Sequence, residues 1–263
     1  MEETFYRLAP ASLWLAILCL AESFVVVSPP GRWQHGLRNL GLAGINGLFL
    51  FFTLGGVSVW IASVSPFAPS SVWVIPHAVV CFVVLDLFSY GWHRLNHAVP
   101  MLWRLHSVHH SDEHMDVTTA GRFHAGELAV GALLRLPLLY CMAVSTTTLL
   151  AYETVLVLVS MLHHSSISLG RWDRSFRMLI STPAMHSIHH SRNPLHFGSN
   201  FSSVFSVWDR VFATFQLTNA PISHGLENAD GKTLRSLITM PLNQTTPPIP
   251  TSNNPAKSRE SCV

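Results

Sequence analysis

From residue 40 to residue 63 the chain runs without a single charged side chain. About 20 mostly apolar residues cross the hydrocarbon of a bilayer. There every backbone polar group must be bonded internally, so a run of this kind folds as a helix. Residues 8–28, interrupted by Glu22, and residues 72–92, with Asp86 near the end, meet the same requirement. Residues 128–162 are long enough to enter and return, with the turn expected at 145–148. Arg135 and Glu153 interrupt that hairpin, so it is expected to be partly shielded by protein. Charged residues make up 11% of the sequence, against about 25% in ordinary soluble domains. Much of the surface is therefore not meant for water.

Sixteen histidines accompany these segments, and half of them fall in three clusters. His93 and His97 read HxxxH; His106, His109 and His110 read HxxHH; His186, His189 and His190 repeat HxxHH. On a helix, positions i, i+3 and i+4 share a face, so each cluster aims its imidazoles one way. Eight co-directed rings are more than one ion can use, which points to a site for several metal ions built almost wholly from nitrogen. Buried rings without partners would otherwise cost about 1–3 kcal/mol each. His163 and His164, at the end of the hairpin, extend the set, mainly through His164. Asp86, Tyr90, His93 and His97 follow one another at i, i+4, i+7 and i+11, a single stripe. Its Asp and Tyr stand where partners that fix a ligand's tautomer are needed. Pro100 is expected to break the first helix, with Leu102-Trp103 restarting it into the second cluster, and the third cluster is expected to begin after Pro183 in the same manner. For His124 a pocket role and a structural role stay open. Glu22, near a helix end, is expected to reach the membrane interface.

Imidazole suits zinc, copper, iron and nickel alike. Zinc usually takes four ligands, whereas nine imidazoles shared by two octahedral ions leave open positions for oxygen, which favours iron. Soluble di-iron bundles use Glu and Glu-x-x-His; no such motif occurs among the clusters. A zinc-dependent membrane hydrolase is the first alternative, but it calls for a general base and no HExxH is present. A metal carrier or sensor is the second, and it would place ligands within the spans. The net charge of +2 without a basic patch gives no support to nucleic-acid binding. Four cysteines form no CxxC pair, so neither a disulfide framework nor a zinc ribbon is indicated.

The boxes and their flanks resemble the fatty acid hydroxylase/sterol desaturase superfamily. The first box carries its preceding Asp86 and Tyr90, and Leu102-Trp103 leads into the second, which Ser111 follows. Arg122-Phe123-His124 and Glu127 resemble the segment beyond it, and His163-His164-Ser165-Ser166 the middle motif. Thr182-Pro183 precedes the third box, and Asn200-Phe201 with Trp208 to Phe212 resembles the closing motif. Ser166, Ser202 and Ala213 depart from it, standing where Asn, Gly and Gly are usual. The resemblance implies an O2-dependent lipid hydroxylase or desaturase with two non-haem irons. Its ligands would be His93, His97, His106, His109, His110, His164, His186, His189 and His190. His163, His124, Asp86, Tyr90 and Asn200 would be further ligands or outer-shell residues. The chain has no GxGxxG fingerprint and no haem motif. Electrons would then come from a separate donor of the cytochrome b5 or ferredoxin/reductase type, and no bound nucleotide is expected.

The expected fold is an all-α, integral-membrane helical bundle of about three spans plus a hairpin, with a cytosolic helical cap carrying the histidine boxes. Residues 1–71 form an N-terminal membrane region, 72–217 a catalytic domain and 218–263 a C-terminal segment, disordered from about 241. Placing every arginine-bearing loop inside puts the boxes on the cytoplasmic face. A bacterial inner membrane is preferred over an endoplasmic reticulum membrane.

Overall fold

The computed structural model describes residues 2–25, 31–64, 71–193, 195–196, 198–227, 229 and 231–243, and these contain helices, short 3-10 turns and isolated bridges but no strand. Helix α1 spans Glu2–Val25. Helix α2, Arg32–Leu50, continues through a π turn at Phe51–Gly55 into α3, Gly56–Val64. Helix α4 covers Val74–Ala98 and α5 covers Pro100–His110. Then come α6, Ala125–Cys141, and α7, Thr146–His164. Three stretches are long and apolar enough to cross a membrane: Arg32–Val64, Val74–Ala98 and Thr146–His164. Leu13, Leu20 and Phe24 on α1, and Phe52, Trp60 and Ile75 on the first two of these stretches, stand exposed, which suits a hydrocarbon surround and not water.

The corner between α4 and α5 is made by proline. Pro100 occupies the first helical position, and Val99 before it is extended, with φ −101° and ψ 117°. A ring at that position costs no hydrogen bond and forces its predecessor out of the helical region. The same device, Thr182 extended before Pro183, starts α9, Pro183–His189, after the short α8, Asp173–Phe176. The hairpin turn lies earlier than its composition suggests. It falls at residues 142–144, and the Ser-Thr run opens α7 instead, with Ser145 Oγ accepting from Thr148 N at 3.1 Å. Ser145 is a helix cap, hence the displacement. The two charges in the hairpin satisfy each other, Arg135 Nη2 donating to Glu153 Oε1 at 2.8 Å.

Glu22 faces protein. It is buried, accepts from Arg32, Val117 N and Ser166 N at 2.8–3.0 Å, and so pins α1 to two loops beside the histidines. After α10, Val207–Val211, a last helix α11 runs Leu234–Asn243. Leu237 and Met240 pack with Leu42 and Val108, while Thr233 and Ser236 cap each other reciprocally. Residues 241–243, expected to be disordered, are the end of this helix; the remainder of that tail lies outside the described residues.

Candidate metal centre

Nine imidazole donor atoms converge in two groups. His93, His97, His106, His110 and His189 form the first, and His109, His164, His186 and His190 the second, with donor atoms within 4.8 Å of one another in each. Helical spacing explains the partition. The i, i+4 pairs (93/97, 106/110 and 186/190) each stay together, whereas the i+3 ring goes to the opposite group. Thus α5 contributes two rings to the first group and His109 to the second; α9 with its C-terminal cap His190 contributes two to the second and His189 to the first. Helix α4 and helix α7 complete the sets. The rings sit among aromatic walls: Phe123 stacks on His109 at 4.2 Å, and Phe201 and Trp103 lie 5.1 and 5.0 Å from His97.

The rear nitrogens fix the tautomers. His93 Nδ1 donates to Phe201 O at 2.8 Å, His189 Nδ1 to Ser199 O at 2.8 Å and His164 Nδ1 to Ser160 O at 2.7 Å. A carbonyl can only accept, so each Nε2 keeps its lone pair for something else. In the first group Nε2 of His93, His97, His106 and His189 is buried with no hydrogen-bond partner among the described residues. In the second, His164 Nε2 lies 3.0 Å from both His109 Nε2 and His186 Nε2, and His186 Nε2 lies 3.1 Å from His190 Nε2. One lone pair cannot satisfy two neighbours, but a cation between them satisfies all four. The residues therefore fit a metal in each group. Burial, then mutual repulsion, holds His109, His110, His186 and His190 well below the ordinary imidazole value. Burial also takes His189 down to about 3. All are neutral, the form that ligates.

The other candidates lie apart. His163 is buried with its ring 4.0 Å from that of His186, yet it belongs to neither group. His124 caps α6, its Nδ1 accepting from Gly126 N at 3.0 Å and its Nε2 facing Ile238 O at 3.2 Å. Asp86 and Tyr90 share the stripe but bond no imidazole. Asp86 accepts from Val204 N, Phe205 N and Trp208 Nε1 at 2.8–3.1 Å, and Tyr90 Oη meets Thr214 Oγ1 at 2.9 Å. They lie about one turn (Tyr90) and two turns (Asp86) before His93 on α4, level with the closing segment, and they hold the chain that presents Phe201 O to His93. Asn200, at φ 54°, ties Met185 O and Gln216 together through its amide.

Two residues known from the sequence only as part of the family pattern have roles that it did not assign. Glu127, the one acid in α6, is buried and accepts from His106 Nδ1 at 2.8 Å and Asn96 Nδ2 at 3.1 Å; an acid alone in an apolar helix was the available signal. Arg122 is also buried, donating to Val108 O, Asn39 Oδ1 and Ser111 Oγ at 2.9–3.1 Å, and so secures the end of α5.

A cavity of about 500 Å³ reaches both groups, touching His93, His106, His109, His164 and His186, and is otherwise walled largely by apolar side chains such as Leu15, Leu50, Trp92 and Leu156.

The sequence profile of the Fatty acid hydroxylase family matches residues 78–214, just over half of the chain and every residue of both imidazole groups. The chain belongs to this family. Human alkylglycerol monooxygenase is 25% identical over 226 residues, covering 84% of this chain and 49% of that protein. The ornithine lipid hydroxylase OlsE of Rhizobium tropici is 31% identical, covering 57% and 45%. Human cholesterol 25-hydroxylase is 27% identical, covering 59% and 56%. The chain thus spans about half the length of these curated relatives. No solved structure matches this fatty acid hydroxylase family member.

Proposed function

We infer that this chain is a membrane-bound, O2-dependent lipid monooxygenase with a non-haem di-iron centre. The observation that carries the reading is the pair of buried imidazole groups opening on one apolar cavity. Iron is favoured over zinc on donor count. The five imidazoles of the first group exceed the four ligands zinc usually takes. The relatives' names, a monooxygenase and two hydroxylases acting on lipids, favour hydroxylation over desaturation.

When bound, two irons supply, with O2 and external electrons, the oxidising power to attack an unactivated C–H bond. The chain does the rest. Leu15, Leu50, Trp92 and Leu156 bind an alkyl chain by excluding water from it. The carbonyls of Phe201, Ser199 and Ser160 lock three rings in the metal-facing tautomer. Packing of Phe123, Phe201 and Trp103 around the imidazoles keeps bulk water from the reacting carbon.

The three long apolar helices cross the membrane, with the arginine-bearing loops and the boxes on the cytoplasmic side of a bacterial inner membrane. Residues 72–217 form the catalytic unit and 1–71 its membrane anchor. A cytochrome b5 or ferredoxin-type donor supplies the electrons. Lipid profiling of cells with and without the protein, under isotopically labelled oxygen, tests the reading. A hydroxylated lipid carrying the label is expected, absent in a His189→Ala variant that still inserts. Turnover that needs no oxygen, with stoichiometric zinc, would reject it.

A further inference from the structure

Three hydrogen bonds from the converging rings end on neutral backbone carbonyls, those of His93, His189 and His164. The fourth, from His106 Nδ1, ends on the carboxylate of Glu127 at 2.8 Å. Glu127 is 2% exposed, and its other donor is the neutral amide of Asn96. No lysine or arginine among the described residues forms an ion pair with it. A carboxylate taken out of water without a compensating cation is strongly penalised. The nearest place for such a cation is the first imidazole group, on the far side of the His106 ring, where His106 Nε2 lacks a partner.

We propose that Glu127 is the positioning residue and counter-charge of the first metal seat, and that it makes the two seats unequal in affinity. The inference rests on the metal centre described under Proposed function. Its physical content is simple. The carboxylate fixes His106 as the tautomer with Nε2 facing the metal. It also draws the Nδ1 proton toward itself, which raises the basicity of Nε2. The second seat has Ser160 O behind His164 and no carboxylate behind any of its rings among the hydrogen bonds described, so its ion is held by neutral donors alone.

The test uses the full chain in detergent, loaded with iron and titrated with a chelator while bound metal is counted. Wild-type protein is expected to release its two ions in two steps, separated by about tenfold or more. Glu127→Gln preserves size and an oxygen that accepts from His106 but removes the charge. It is expected to weaken one site about 10–100-fold, leave the other unchanged, and alter the Mössbauer signature of one iron. Asn96→Ala removes a neutral partner and keeps the charge; both ions are expected to stay. A single-step release from wild type, wild-type retention by Glu127→Gln, or equal loss in Glu127→Gln and Asn96→Ala each overturns the proposal. Wild-type protein that binds fewer than two ions overturns the di-iron reading as well, so the two failures are told apart.

Discussion

His109 and His110 are neighbours in sequence, yet their rings point to different groups, and of the pair His163 and His164 only His164 joins one. This leads to residue-level outcomes that composition could not supply. His164→Ala should empty the second seat and spare the first, and His110→Ala the reverse. His163→Ala should leave both ions in place; metal analysis of each purified variant reads this directly. Protonation behaves predictably too. In the folded chain His189 titrates near 3 against an ordinary 6.5, so the unfolded chain takes up protons first as the pH falls. Metal-free protein should therefore lose stability as pH drops from 6.5 toward 3 and show no such dependence above neutrality. Denaturant midpoints across that range check the sign. The histidine clusters themselves were legible because i, i+3 and i+4 relations are local. Their division between two seats was not, since it depends on how α5 and α9 face one another.

At the scale of elements, proline corners and caps do most of the positioning. Pro100 and Pro183 were readable as helix boundaries, because a ring acts on its own residue and the one before; that each is the first residue of the new helix is what the structure adds. Ser145 misled because the same residue types mark turns and helix caps. Asp86 meets no imidazole for a different reason: its stripe is real, but the closing segment over residues 204–208 covers that level of the stripe. Asp86→Ala should leave two buried amides and an indole without their acceptor and cost on the order of 3 kcal/mol. It should also loosen Phe201 O from His93, visible as lower stability with weaker metal retention. Ala213 sits at φ 57°, a left-handed backbone that costs a side chain about 1 kcal/mol or more. The family pattern that the sequence resembles would place glycine there, which takes this backbone without that cost. Ala213→Gly should raise unfolding stability by about 1 kcal/mol with metal content unchanged, as read from the denaturation midpoint.

Across the whole molecule, the helical architecture and its membrane-length segments follow from charge-free apolar runs, which leave the chain few other ways to bond its backbone. Helix α11 was hidden because it is short and runs straight into the polar, proline-rich tail; it forms by packing Leu237 and Met240 onto α2 and α5. Leu237→Asp should release it and lower stability, read by denaturation, with both ions still bound because α11 contributes no ring to either group. The long-range links, Glu22 to residues 117 and 166 and Glu127 to His106, lie 21 to 144 residues apart and leave no local pattern. All of them bear on one arrangement, two imidazole groups held at a shared apolar cavity. Metal counting with Mössbauer spectroscopy on protein isolated from iron-supplemented cells tests that arrangement most directly. Two irons per chain in distinguishable environments are predicted; one ion per chain, or zinc filling both groups in active protein, would contradict it.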